Sequence, residues 1–540
     1  MTALVLGPLL RHAGEHTATV WVETAEPCEV RVHNVEQGLD ARARTFTVHG
    51  HHYALVEVTG LPTGARVPYE VTLDGETVWP TPGCPFPRSA IRTIDPANPV
   101  RLSFGSCRRS PGTVEDYGYD SLAAFAHRLA EDPDGPWPDA LLMVGDQVYA
   151  DELGDEMRDY IHARRPEGGE PEDELADYED YTHLYELAWR EVSVRWLMST
   201  VPTFAIFDDH DIRDDWNTSY TWRKQMWELP WWRDRIVGGI ASYWVYQHLG
   251  NLSPEDRAAD PVYKAVREAS DAGGDGGALL DEFAERADKE PATTRWSYAH
   301  DWGNTRLVVV DSRCSRLLTA DRRGMLDDDE FAWLDGRLRG GMDHLLVASS
   351  LPYLLAPGIH HAEAWNEAVA GGAWGRTAAK YGEKLRQAAD LEHWAAFGES
   401  FREVARDVVE VGRGERGPAP ASITFLSGDV HYSYVARVTA PDTTSRIAQV
   451  VCSPLRNPLP AQFRFAQRLG TSRALARVPR ALARLAKVPV PPLRWRLTDG
   501  PWFDNAVATI ELTGRKGTVR WDSPVSETTM RKVAQINLTD

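Results

Sequence analysis

Carboxylates in this sequence recur directly behind short apolar runs. Gly145-Asp146-Gln147-Val148-Tyr149 follows the run 140–144, Asp208-Asp209-His210-Asp211 follows 204–207, and Gly428-Asp429-Val430-His431 follows 423–426. A glycine before Asp146 lets the backbone turn tightly, so that one carboxylate can reach over a sheet edge and offer an oxygen to each of two cations. Tyr149, three residues on, adds a phenolic oxygen. Three carboxylates around His210 repel one another unless a cation or water neutralises them, and the apolar run before them argues against full solvation. Asp429 and His431, two apart, fall on the same side of an extended chain. A lone Gly-Asp is usually an ordinary turn and a lone histidine usually a satisfied structural group. Their recurrence at successive run ends favours metal binding.

The elements that would position these groups are strands. Runs at 140–144, 204–207, 307–310 and 345–348 are continuously apolar, as strands covered on both faces are, and 100–104 and 423–426 are largely so. Several are separated by helical stretches, and each ends in polar or reactive residues, including Gly105-Ser106-Cys107 and Ser349-Ser350. That pattern predicts a layered α/β unit with its site at the carboxyl ends of the strands. Residues 1–95 differ: alternating segments at 17–22, 29–32, 53–58 and 68–73, broken by Gly and Pro, predict a small all-β sandwich. Pro80, Pro82, Gly83, Pro85 and Pro87 then read as a stiff linker to a unit spanning 98–540.

The 540 residues carry 59 Lys plus Arg against 79 Asp plus Glu, a formal charge of −20, which suits cation binding and disfavours general binding of nucleic-acid phosphates. Five scattered cysteines argue against a disulfide framework and for a reducing compartment. Neither a secretory leader nor a membrane-spanning run is seen, and a cytoplasmic location is expected. The acid-rich stretch 151–191 reads as a solvated insertion. Trp222, Trp227, Trp231, Trp232 and Trp244 read as the packing of a helical insertion or, less simply, an aromatic wall for substrate. In 461–496 arginines spaced three to five apart predict an amphipathic helix broken at Pro479. Its two uses are peripheral contact with a membrane or other anionic surface, or a flap drawing anionic substrate inward. No obligate protein partner is implied.

Taken in order, the four motifs resemble the PhoD-like alkaline phosphatase branch of the calcineurin-like metallophosphoesterase superfamily. There the first motif carries a cysteine (here Ser106-Cys107), the second Gly-Asp and a tyrosine (Asp146, Tyr149), the third Asp-Asp-His-Glu (here 208–211), and the last Gly-Asp-x-His (Asp429, His431). The resemblance implies a four-layer α/β metallophosphoesterase β-sandwich flanked by helices, preceded by a small fibronectin type III-like sandwich. It implies hydrolysis of a small phosphoric ester, monoester or diester, at a dinuclear site. Cys107, Asp146, Tyr149 and His431 would surround one metal, with Asp146 bridging to a second completed by Asp209 and Asp429. Thiolate and phenolate suit Fe³⁺, and the oxygen-rich position suits Ca²⁺, Mn²⁺ or Mg²⁺. His210 would protonate the leaving group, Asp211 would orient it, and Arg108 would hold a phosphate oxygen. His360 and His361, after the fifth run, are further substrate-binding candidates. The sequence departs from the family in carrying Asp211 for the commoner Glu, Ser349-Ser350 in place of a metal-binding His, and no twin-arginine signal.

Overall fold

The computed structural model describes residues 2–166, 168–461, 464 and 476–540. The chain opens with two four-stranded antiparallel sheets. Strands β1 (Leu4–Ala13), β2 (Ala18–Thr24), β6 (His51–Val58) and β5 (Phe46–Val48) form one, in the order β1-β2-β6-β5. Strands β4 (Leu39–Arg44), β3 (Glu29–Asn34), β8 (Glu70–Leu73) and β9 (Glu76–Trp79) form the other, and a ribbon of β7 (Arg66–Pro68) and β10 (Ala90–Arg92) closes the end. Their facing sides share a core of Val20, Val22, Val30, Val32, Val56 and Val71.

Polar groups buried at the junction bind this sandwich to the rest of the chain. Tyr69 Oη donates to the Ser199 carbonyl at 2.6 Å and the Arg11 guanidinium to the Gln247 carbonyl at 2.6 Å. His51 lies between Glu23 (3.0 Å) and Glu179 (2.9 Å). The proline linker is itself tied down, with Phe86 stacked on Trp196 and the Pro87 carbonyl accepting from the Trp196 indole.

Two larger sheets follow. The first has the order β13-β12-β11-β23-β24-β25, built from β11 (Val100–Gly105), β12 (Ala140–Val144), β13 (Thr203–Ile206), β23 (Val507–Thr513), β24 (Lys516–Pro524) and β25 (Met530–Asn537). Its first three strands are parallel and the last three are appended antiparallel. The second runs β14-β15-β18-β19-β21-β20-β22, with β14 (Tyr298–Trp302), β15 (Thr305–Val309), β18 (His344–Ala348), β19 (Ser422–Ser427), β20 (Ser433–Thr439), β21 (Arg446–Val451) and β22 (Arg494–Trp502). A two-stranded ribbon of β16 (Leu317–Leu318) and β17 (Arg323–Gly324) lies outside it.

Alternate residues explain the apolar runs. Leu307, Val309, Leu346 and Ala348 enter the core shared with Leu102, Phe104, Leu142 and Val144. Their neighbours Val308, Val310, Leu345 and Val347 face outward, onto Phe401, Val404 and Val408 of the helix Gly398–Arg413. On the opposite outer face the helix Ser121–Glu131 covers β23, β24 and β25. The result is helix, sheet, sheet, helix. Strands β11, β12 and β13 are parallel to one another, as are β15, β18, β19 and β21, so within each sheet the carboxyl ends gather on one edge.

Two sequence expectations need correction. The stretch 151–191 is only partly solvated. Its helix Tyr178–Trp189 buries Tyr181, Leu184, Tyr185 and Leu187, and Asp180 is wholly enclosed, where Arg164 and Arg165 neutralise it. Pro479 does not break the basic helix, which spans Arg477–Leu485. A proline in the first turn lacks only an N–H that has no partner there anyway. Arg468 and Arg473 lie outside the described residues. The tryptophans after the Asp-rich motif do pack, with Trp222, Trp232 and Trp244 buried in the main core. Among the described residues no helix is long and apolar enough to cross a membrane.

Candidate metal centre

Each motif lies one or two residues beyond a strand end, and the backbone there is unusual. Cys107 (φ 56°), Asp146 (φ 52°), Asp429 (φ 66°) and His431 (φ 56°) are all left-handed. Each such non-glycine residue costs on the order of 1–3 kcal/mol, which surrounding structure must offset. Hydrogen bonds do that here. Ser106 Oγ accepts from the Asp429 amide at 3.0 Å, and Ser453 Oγ accepts from the His431 amide at 3.1 Å and lies 3.4 Å from Cys107 Sγ. Glycines let the turns approach one another. A Cβ on Gly428 would fall 1.9 Å from Ser106 Oγ, and one on Gly145 (φ 99°) 2.6 Å from the Asp208 Cβ.

Three donor clusters result, each with its ligand atoms within 4.8 Å of one another, and the most exposed of them is Asp209, His210 and Asp214. The two buried ones are Cys107, Asp146 and His431, and Asp146, Asp208, Asp209 and Asp429. Asp146 belongs to both, as a bridging ligand would. Tyr149 Oη lies 3.5 Å from Asp146 Oδ2, placing the phenol at the Cys107 cluster, where it accepts from the Asn457 amide at 3.0 Å. Five of the six expected metal ligands are therefore members of these clusters and the sixth touches one. Asp208 is an addition, although it stands in the same sequence motif.

A cation fits this donor set. Among the described residues Asp146 Oδ1 and Asp208 Oδ2 are buried without any hydrogen-bond partner, a rare and costly condition that a metal would relieve. Burial first, then the Asp146 and Asp429 charges, push the Cys107 thiol well above its ordinary range, so only a nearby cation would make it a thiolate. Burial also raises Asp146 and Asp208, each further raised by neighbouring carboxylates.

His210 belongs to neither cluster that shares Asp146, and lies in the third, with Asp209 and Asp214. Its Nδ1 is 2.9 Å from Asp151 Oδ1, its ring lies 4.7 Å from the Tyr149 ring, and Asp214 is 3.9 Å from Nε2. Burial favours the neutral imidazole, but the charges of Asp151, Asp209 and Asp146 outweigh it and favour the imidazolium.

Three expected roles are not what the geometry provides. Asp211 does not touch His210. Its Oδ2 accepts from the amides of Asp146 (3.0 Å) and Asp208 (2.8 Å), tying two strand-end turns together, and Asp151 orients the imidazole instead. Arg108 is buried away from the site, with its guanidinium on Asp120 (2.8 Å) and the Ala188 carbonyl (2.6 Å). The next residue, Arg109, stands over the Tyr149 ring at 5.4 Å, paired with Glu152 on the wall of an open cavity of about 380 Å³. His360 and His361 line a different cavity, which no member of the metal clusters lines.

Two residues at the site gave no motif signal. Arg313, wholly buried, pairs with Asp208, with Asp209 (3.1 Å) and with Glu392. His393 bridges Asp429 Oδ2 (3.0 Å) and Glu363 Oε1 (2.9 Å), so an imidazole does reach the carboxylate cluster although Ser349-Ser350 replaces the expected one.

Two facing sheets flanked by helices, with candidate metal ligands clustered at their strand ends, make this a layered α/β fold. Comparison narrows it. Residues 105–264 match the family model of the PhoD-like phosphatases, and residues 1–91 match that of a domain of unknown function, DUF7800. A solved structure of PhoD aligns over 98% of this chain and 92% of its own with a TM-score of 0.59 and 12% sequence identity, a likeness of fold. No curated protein matches the chain. Residues 105–264 are thus similar to the PhoD-like phosphatases, and the chain shares the fold of PhoD.

Proposed function

We propose that the chain hydrolyses phosphoric esters at a dinuclear metal site, and the observation that carries this is the paired cluster sharing Asp146. Cys107, Asp146, Tyr149 and His431 would hold one ion, with Fe³⁺ the best match to thiol and phenol. Asp146, Asp208, Asp209 and Asp429 would hold a hard ion such as Ca²⁺, Mn²⁺ or Mg²⁺. When bound, two such ions bind phosphate oxygens and lower the pKa of a water between them.

The chain's own residues then have separate tasks. His210, held in orientation by Asp151 and tilted against the Tyr149 ring, presents Nε2 to deliver a proton to the departing alkoxide. Its acidic surroundings keep that proton available. Arg109 at the cavity wall replaces Arg108 as the side chain to meet a phosphate oxygen. Arg313 offsets part of the negative charge of Asp208 and Asp209, and His393 fixes Asp429. Turnover of nitrophenyl phosphate beside bis-nitrophenyl phosphate, by protein purified without chelator, tests the activity and separates monoester from diester preference. Hydrolysis of neither ester by metal-loaded protein would overturn the proposal.

A further inference from the structure

The basic segment and the helix Pro357–Ala370 enclose a second cavity, of about 230 Å³, with an unusual lining. Its walls are apolar: Phe401, Trp495, Leu493, Val488, Ala483 and Ala364. Around these stand the guanidiniums of Arg402, Arg480, Arg484 and Arg494. Among the described residues none of the four has an ion-pair partner closer than 4 Å, although the chain as a whole carries a charge of −20. From Arg456 to Thr498 there is no acidic residue at all. Unpaired arginines collected beside an apolar wall are arranged for an anion that brings an apolar body with it.

The floor adds an independent sign. His360 is buried between the rings of Phe401 and Trp495, each 4.7 Å away, and its Nδ1 has no hydrogen-bond partner among the described residues. Burial, then the neighbouring His361, lowers its pKa to about 3, so the ring is neutral and compatible with an uncharged chain beside it. Val490, which lines the cavity, is 72% exposed, an apolar approach from solvent next to the arginines.

We infer that this cavity binds a single-chain amphipathic anion: an alkyl chain on Phe401, Trp495 and Leu493, with its carboxylate or phosphate head on Arg480, Arg484, Arg402 and Arg494. The site is separate from the metal clusters, although the helix Pro357–Ala370 serves both, presenting His360 to the cavity and Glu363 to His393.

Isothermal titration of the full chain with dodecanoate below its aggregation concentration tests this, with acetate and dodecanol as the head-only and tail-only controls. One-to-one binding of dodecanoate, at least about tenfold tighter than either control, is expected. Arg480→Glu with Arg484→Glu should weaken it by about tenfold or more while leaving nitrophenyl phosphate turnover unchanged. Ala483→Trp, which fills the cavity without touching charge, should abolish it. Anionic phosphatidylglycerol vesicles form the second arm, and competition between them and monomeric dodecanoate would identify a membrane lipid as a source of the same head and tail. Absence of dodecanoate binding, undiminished binding in both variants, or binding to vesicles alone would overturn the inference.

Discussion

The two clusters that share Asp146 solve the same electrostatic problem differently. The cluster of Cys107, Asp146 and His431 has one carboxylate, an imidazole that burial keeps neutral and a thiol that only a cation would ionise, and among the described residues no basic side chain forms an ion pair with it. The cluster of Asp146, Asp208, Asp209 and Asp429 has four carboxylates, and the protein supplies its own counter-charge in Arg313 and His393. The difference teaches which position depends more on metal. The carboxylate position is already partly neutralised and should release its ion to chelator first. The sulfur position has no internal substitute and should hold its ion longer.

Removing a group that belongs to neither cluster sharpens the contrast most. His210→Ala should lower kcat by roughly 10²–10⁴-fold, the usual worth of a general acid, with metal content unchanged by elemental analysis. Metal loss in that variant would move His210 into the coordination sphere. Next in size, Arg313→Met should destabilise the chelated protein by roughly 3–5 kcal/mol in denaturant unfolding, because Asp208, Asp209 and Glu392 lose a wholly buried partner. Added Ca²⁺ or Mn²⁺ should restore more of that loss than it adds to the wild type, and an equal response in both proteins would show that Arg313 and metal do not share a task.

Gly428→Ala should act on both clusters together, since the new methyl would meet Ser106 Oγ, the acceptor that holds the Asp429 amide. A loss of roughly 1–3 kcal/mol with lowered occupancy of both ions is expected; loss of one ion alone would separate the two turns. The smallest effect should appear far from either cluster. Burial opposes a charge on His51, but its bonds to Glu179 and Glu23 prevail and raise its pKa to about 9. Its stabilising charge is thus fully present below the ordinary value near 6.5 and is lost as pH rises through about 9. Glu23 is pushed up by its own burial, so the favourable part of this trio lies with His51 and Glu179. The melting temperature should fall modestly between pH 6.5 and 9 and flatten in His51→Asn, with metal content unaffected.

What the sequence discloses follows from how local each signal is. The strand-end carboxylates were legible because an apolar run and the residue after it are contiguous in the chain, and a parallel sheet converts that repetition into convergence. Cys107 had meaning only through its resemblance to a family motif. Arg313 and His393 carried no signal, being single residues brought in by loops, and their contacts with Asp208 and Asp429 exist only once the sheets face each other. The assignments to Arg108 and Asp211 failed through the same limit: adjacency in sequence says nothing of side-chain direction, and both side chains turn away to hold Asp120 and two backbone amides. The helix Tyr178–Trp189 was misjudged because acidic composition hid a face of Tyr and Leu whose one enclosed carboxylate is paired.

The central claim is that Cys107, Asp146 and His431 jointly hold an ion whose partner lies on the far side of Asp146. Elemental analysis with an optical spectrum, on wild type and Cys107→Ser purified without chelator, tests it most directly. Two metal equivalents per chain and a visible thiolate or phenolate charge-transfer band are expected in the wild type, with the band shifted or lost and the sulfur-side ion depleted in the variant. Active wild-type protein without bound metal, or a variant identical in metal content and spectrum, would contradict it.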